Sequence, residues 1–131
     1  MWPLECGLKG RAETIVYPQE TAESLKTGRV LVWGTPAMVR LMEEASVAAV
    51  EEALPPGSLS VGASLTVRHL APTPLGAKVH AEAELVQVEG RRLTFLVRAY
   101  DEVELVGEGT HTRVIVDGER FRASYQRKAP S

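Results

Sequence analysis

Thr35-Pro36-Ala37-Met38-Val39-Arg40-Leu41-Met42-Glu43-Glu44-Ala45-Ser46-Val47-Ala48-Ala49-Val50-Glu51-Glu52-Ala53-Leu54-Pro55-Pro56-Gly57 is the stretch on which the fold turns. It reads as one long helix from about Pro36 to Ala53. Thr35 suits the N-cap, Pro36 suits the first turn, and Pro55-Pro56-Gly57 stops the helix. Met38, Leu41, Met42, Ala45, Ala48 and Ala49 fall on one side at a spacing of 3.6 residues, while Arg40, Glu44 and Glu51 gather on the other. The alanines predict that this helix lies close against a sheet.

The chain after Ser58 reads as β structure. From Val61 to His69 the odd positions Val61, Ala63, Leu65 and Val67 are apolar, and His69 shares their parity. Ala71-Pro72-Thr73-Pro74-Leu75-Gly76 is a loop. Val79, Ala81, Ala83 and Leu85 line one face of a strand over Lys78–Val88; Leu93, Phe95, Val97 and Ala99 line one face of another over Leu93–Tyr100. Glu89-Gly90-Arg91 turns between them, making a hairpin. A last strand covers Leu105–Val116 and ends at Asp117-Gly118, and a weakly marked N-terminal strand lies near Ala12–Tyr17. One strand, an irregular segment, one apolar helix and four antiparallel strands make an α+β class. Its simplest form wraps a curved antiparallel sheet around the helix, which is the hotdog fold. So thin a core predicts that a second copy of the chain completes it.

At 131 residues the chain is expected to form a single domain, 1–131, without a disulfide or a metal. The one cysteine, Cys6, cannot pair within the chain and suits a reducing compartment. Met1-Trp2-Pro3-Leu4-Glu5 has no basic export segment and no apolar run follows it, so the expected location is the cytoplasm, away from any membrane. A net charge of -2, with basic residues scattered among acids, gives no electrostatic case for nucleic acid. Abundant Glu and Arg with no Asn at all fit a heat-adapted source.

Three residues carry groups that move protons or attack carbonyl carbon: Thr35, Glu43 and His69. Thr35 caps the helix, whose free amides can hold a developing oxyanion. Pro36 has no amide proton, so Gly34, Ala37 and Met38 are the candidate donors. On a helical wheel Glu43 lies beside Val39, Val47 and Val50 at the rim of the apolar side, where partial desolvation would raise its pKa toward useful base strength. Alternation turns His69 inward toward the helix. His80 shares parity with Glu82 and Glu84 and faces solvent, whereas His111, in Gly107-Glu108-Gly109-Thr110-His111, is ambiguous. No phosphate loop, dinucleotide fingerprint, metal-ligand spacing or Gly-x-Ser-x-Gly elbow is present, which leaves a metal-independent hydrolase or a binding module.

Gly34-Thr35-Pro36-Ala37-Met38-Val39-Arg40-Leu41-Met42-Glu43, Val61-Gly62, Val67-Arg68-His69, Val88-Glu89-Gly90-Arg91-Arg92-Leu93 and Gly107-Glu108-Gly109-Thr110-His111 together resemble the fluoroacetyl-CoA thioesterase family of hotdog proteins. The resemblance runs from Val32 to Ile115. It implies a catalytic set of Thr35, Glu43 and His69, with Gly62 near the acyl group. A coenzyme A thioester substrate, no cofactor beyond the coenzyme A it carries, and a homodimer or dimer of dimers with sites at the interface are implied as well. The family's fluoroacetyl-selective lid carries phenylalanines before the helix, and Ser24–Val30 contains none; the expected substrate is therefore a short or medium acyl-CoA. Gly34, Arg91 and Arg92 are candidate substrate contacts, the arginines toward the coenzyme A phosphates.

Thr35 and Glu43 stand roughly 12 Å apart along the helix. At least one of the three reactive residues is thus expected from a second copy. Glu43 is either a nucleophile or the base that activates a water, and Thr35 either positions groups or attacks. Two rival readings are a hydratase or dehydratase on the same fold and a non-catalytic acyl-CoA binding or sensing module.

Overall fold

The computed structural model describes residues 4–130; the export-signal reading therefore falls partly, at residues 1–3, outside the described residues. The long helix, α2, spans Thr35–Val50, preceded by β1 (Lys9–Ile15) and a four-residue α1 (Ala22–Leu25). A 3-10 turn over Glu51–Ala53 carries it on to the proline stop. The cap differs from expectation. Gly34 is the N-cap in extended conformation, Thr35 is the first helical residue, and no side chain caps the helix. Thr35 is not free to cap because its hydroxyl is bonded elsewhere.

Met38, Leu41, Met42, Ala45, Ala49 and Val50 are buried, as is Ser46, which satisfies its hydroxyl on the Met42 carbonyl at 2.9 Å. Ala48 is exposed rather than inward. Four strands follow: β2 (Ser58–His69), β3 (Lys78–Glu89), β4 (Arg92–Asp101) and β5 (Leu105–Asp117). All pair antiparallel in the order β1-β3-β4-β5-β2, so β2 is a sheet edge although it comes first after the helix. The inward residues of β3 and β4 are buried in the expected alternation. Leu85, Leu93 and Phe95 are fully buried, each contributing about 1.5–3 kcal/mol against exposure. The helix touches β1, β3, β4 and β2, giving the expected hotdog arrangement. β1 crosses it at Gly10, where any side chain would strike the Ala45 carbonyl and the Ala49 backbone. Glycine on one element and alanine on the other produce that approach.

Three details depart from the sequence pattern. β1 begins and ends earlier than predicted, because pairing with β3 from Lys9↔Glu84 to Ile15↔Lys78 decides its limits. β2 is bulged between Gly62 and Ser64, so Ala63 is the extra residue and the facing changes there. Val61 and Ala63 are therefore not part of the inward row; Ser60 and Gly62 take that place before Leu65, Val67 and His69 resume it. The last strand ends at Asp117 as expected, but a further element, not read from the sequence, follows it. Asp117 caps a further helix, α3 (Gly118–Gln126), by accepting from the Arg120 amide at 3.0 Å. No inward apolar row marked it, since none of its residues is buried.

The loop after β2 locates the functional groups. It must cross from one sheet edge toward β3, and on the way it pairs with the segment that enters α2. The Trp33 amide donates to the Thr73 carbonyl, Leu75 donates to Leu31, and Val32 bridges Pro74. This stitching sets the start of α2 beside the end of β2.

Candidate active site

Thr35 and His69 meet at that corner. Thr35 Oγ1 lies 2.8 Å from His69 Nδ1, with the hydroxyl exposed and the imidazole half-buried. The indole of Trp33 stands edge-on to the imidazole at a centroid distance of 6.4 Å. His69 Nε2 is buried and makes no hydrogen bond among the described residues. Burial lowers the His69 pKa, so the ring is neutral near pH 7 and has a lone pair for proton transfer. Beside it opens a pocket of about 340 Å³ walled by Val32, Trp33, Gly34, Thr35, His69 and Leu70 among others.

Gly34 lines this pocket, but its backbone is engaged. Its amide donates to the Glu20 carbonyl, and its own carbonyl accepts from both Ala37 and Met38. All three expected oxyanion donors are therefore occupied. The Thr35 amide is the one left without a backbone partner at the helix start, a position where helices have no internal acceptor.

Glu43 belongs to a second cluster. Its Oε1 accepts from Arg113 Nη1 at 3.2 Å, and its Oε2 has no partner among the described residues. Glu43 is half-buried at the rim of the helix, as the wheel predicts. Arg113, however, is a partner the sequence reading did not supply. The guanidinium is only 6 % exposed and is held from several sides. Nε donates to Ser60 Oγ at 2.8 Å, Nη2 to the Ser60 carbonyl at 3.0 Å, and Nη1 also to His111 Nε2 at 3.1 Å. Burial lowers the Arg113 pKa and Glu43 raises it; an arginine stays charged throughout. Gly62 makes room for this cluster, because a Cβ there would sit 2.5 Å from Glu43 Oε1 and 3.5 Å from Arg113 Nη1.

His111 resolves as an inward, buried residue. The signal for it and for Arg113 is the inner row of β5. That row runs Gly107, Gly109, His111, Arg113 where an ordinary core strand would be apolar. Polar residues on a buried face need partners, and these have found Glu43, Ser60 and Ser64.

The chain brings Thr35 to His69 and Gly62 to Glu43, but it does not bring the two pairs together. Gly62 and His69 are separated by seven residues of β2, roughly 20 Å. Arg91 and Arg92 lie farther still from His69, at the β3–β4 turn, level with Ser60 and Ile115 through the Ile115-to-Arg91 backbone bond. Arg92 pairs with Val114 on the outer face, opposite to Arg113. His80 stacks on Tyr100 and bonds Glu82, away from the helix. Among the described residues no His, Cys, Asp and Glu side chains cluster as a metal site would, and no helix is long and apolar enough to cross a membrane.

Comparison with known proteins agrees with the fold. Residues 16–119 match the family model of the fluoroacetyl-CoA-specific thioesterase. The chain is 45% identical over 100 residues to the fluoroacetyl-CoA thioesterase of Streptantibioticus cattleyicolor, covering 76% of this chain and 72% of that protein. It superposes on a threonine-to-serine variant of a fluoroacetyl-CoA thioesterase in complex with acetyl-CoA. The TM-score is 0.90 at 37% identity, over 97% of this chain and 100% of that one. A thioesterase superfamily member from Thermus thermophilus gives a TM-score of 0.89 at 32% identity, over 97% and 94% of the two chains. By fold and by sequence, this chain belongs to the fluoroacetyl-CoA-specific thioesterase family.

Proposed function

We propose that this thioester hydrolase cleaves short or medium acyl-CoA thioesters at a site that two copies of the chain build together, in the cytoplasm. The observation that carries the reading is the 2.8 Å hydrogen bond between Thr35 Oγ1 and a neutral His69. A hydroxyl on an imidazole lone pair is a nucleophile with its base. Thr35 Oγ1 attacks the thioester carbonyl carbon while its proton passes to His69 Nδ1. The Thr35 amide meets the oxyanion. Collapse of the tetrahedral adduct breaks the carbon–sulfur bond, and His69 returns the proton to the departing coenzyme A thiolate. A water that gives its proton to a carboxylate then attacks the acyl carbon, the bond to Thr35 Oγ1 breaks, and the carboxylic acid passes that proton to the departing Thr35 oxygen. Glu43 suits that step because Arg113 holds Oε1 and leaves Oε2 unbonded.

Glu43 of the same chain is two helical turns from Thr35, which is too far, so we assign the carboxylate of each site to the second copy. The free edge of β2 and the open rim beside Glu43 support such an assembly. Among the residues lining the Thr35 pocket none is phenylalanine. Phe95 is in the core beneath His111 and Phe121 is on α3. That supports a short or medium acyl group without selection for fluorine.

Free-thiol assays over a panel of acyl-CoA substrates test the activity, and rapid-quench mass spectrometry tests for acyl-Thr35. An acyl group trapped on Glu43 instead would overturn the assignment of the nucleophile. Shared sites are tested by mixing Thr35→Ala with Glu43→Ala chains, each inactive alone. A mixed dimer regains one intact site of its two, whereas sites built within one chain stay dead after mixing.

A further inference from the structure

The imidazole of His111 is 1 % exposed and has both nitrogens bonded. Nδ1 lies 2.8 Å from the Ser64 carbonyl, which can only accept, so Nδ1 carries the proton. Nε2 lies 3.1 Å from Arg113 Nη1, which can only donate, so Nε2 presents a lone pair. The two bonds together admit one state of the ring, the neutral Nδ1–H tautomer. Glu43 Oε1 is 3.7 Å from that same Nε2. With no proton on Nε2 this is not an ion pair; two acceptors share the Nη1 group of Arg113, which stands between them.

We infer that His111 is a positioning residue: as the neutral Nδ1–H tautomer it accepts from Arg113 and thereby fixes the guanidinium that holds Glu43 Oε1. The inference rests on Glu43 working in the proposed hydrolysis only for its effect on rate. The hydrogen-bond relay itself stands on the geometry.

A proton added to His111 goes to Nε2, directly against the Arg113 N–H. The bond to Arg113 is then lost, and the new N–H turns to Glu43. Imidazolium and guanidinium would compete for one carboxylate, and the orientation of Glu43 would change. The charged groups facing the ring are Glu43 from α2 and Arg113 from β5; β2 offers the Ser64 carbonyl and β4 the Phe95 ring, neither charged. Burial lowers the His111 pKa, with Ser64 raising it, Arg113 lowering it and Glu43 raising it. The relay therefore holds at neutral pH and fails on acidification.

Imidazole nitrogen NMR on the intact protein, assigned by loss of the signal in His111→Gln, reads the relay without reference to catalysis. The expected result is the Nδ1–H tautomer at neutral pH, with the Arg113 side-chain signals moving in step with His111 as pH falls. A protonated Nε2 at neutral pH, or Arg113 signals indifferent to His111, would overturn the inference. In kinetics, His111→Leu is expected to lower kcat by roughly ten- to hundredfold with little change in KM, because it strands a buried donor. His111→Gln, whose carbonyl still accepts from Arg113, recovers most of that loss and drops one ionisation from the acid limb of the kcat profile. Equal rates and equal acid limbs in all three proteins would overturn the role in turnover. If the NMR result holds while rates do not respond, the relay is right and the assignment of Glu43 to hydrolysis is wrong.

Discussion

The corner at Thr35 and the cluster around Glu43 lie along the same helix and use the same kinds of groups, but they are finished differently. At the corner, one hydrogen bond joins an exposed hydroxyl to an imidazole whose second nitrogen stays unbonded. In the cluster, Arg113 donates four hydrogen bonds, to Ser60 twice, to His111 and to Glu43. Glu43 Oε2 is left without a partner among the described residues. The Thr35 hydroxyl is open to solvent with an imidazole nitrogen against it, whereas the Arg113 guanidinium is buried and held from several sides. Under the proposed mechanism the corner makes the bond, and the cluster holds one carboxylate oxygen in place.

The largest effect that separates the two regions is expected at the corner. Thr35→Ala and His69→Ala should each lower kcat/KM by about 10²–10⁴-fold in a free-thiol assay while thermal unfolding stays near wild type. Equal activity in either variant would leave the corner a structural contact.

Gly62→Ala probes the cluster and should lose about ten- to hundredfold in kcat with little loss of stability. The added methyl meets the far end of Glu43, 2.5 Å away, so the flexible carboxylate moves and the strand does not. A large fall in Tm would show that the strand yields instead.

Acid separates the regions next, through stability. His69 and His111 both have folded pKa values lowered by burial. Near neutral pH, above the unfolded value of about 6.5, neither group binds protons in either state. As pH falls below that value the unfolded chain takes up protons that the folded chain refuses, so Tm should drop until the folded values are passed. His111→Gln should flatten this slope more than a change at the exposed Glu44. Asp101 works in the same sense at lower pH. Burial raises it, but donors from Val103, Glu104 and Thr73 outweigh this and lower it, so its contribution is present above the ordinary carboxylate range and lost below it.

The smallest effect is expected outside both regions. Arg91→Ala with Arg92→Ala should raise KM by about two- to fivefold and leave kcat unchanged if these arginines meet the coenzyme A phosphates from the turn. No change in KM would make them ordinary surface charges.

Much of this was legible before folding was considered. The helix stood out because Pro36 in the first turn, periodicity and the Pro55-Pro56 stop agree locally, and the β3–β4 hairpin because its alternation is uninterrupted. The β2 bulge was not legible, since apolar Val61 and Ala63 mimic a regular alternation and only pairing with β5 shows the extra residue. Arg113 escaped notice because a charged residue in a strand reads as solvent-facing until its partner is known.

The sequence by itself determined the long helix, the strands, the hotdog class and the three candidate side chains, because these depend on spacing of a few residues and on chemical type. The tertiary structure decided which groups meet. Thr35 found His69 because the loop after β2 pairs with the segment before α2. Glu43 found Arg113 because β5 pairs with β2 at Gly62, an inner position of β2 with no side chain to block the contact. Both meetings join residues far apart in the chain, and local patterns carry no information on such pairs.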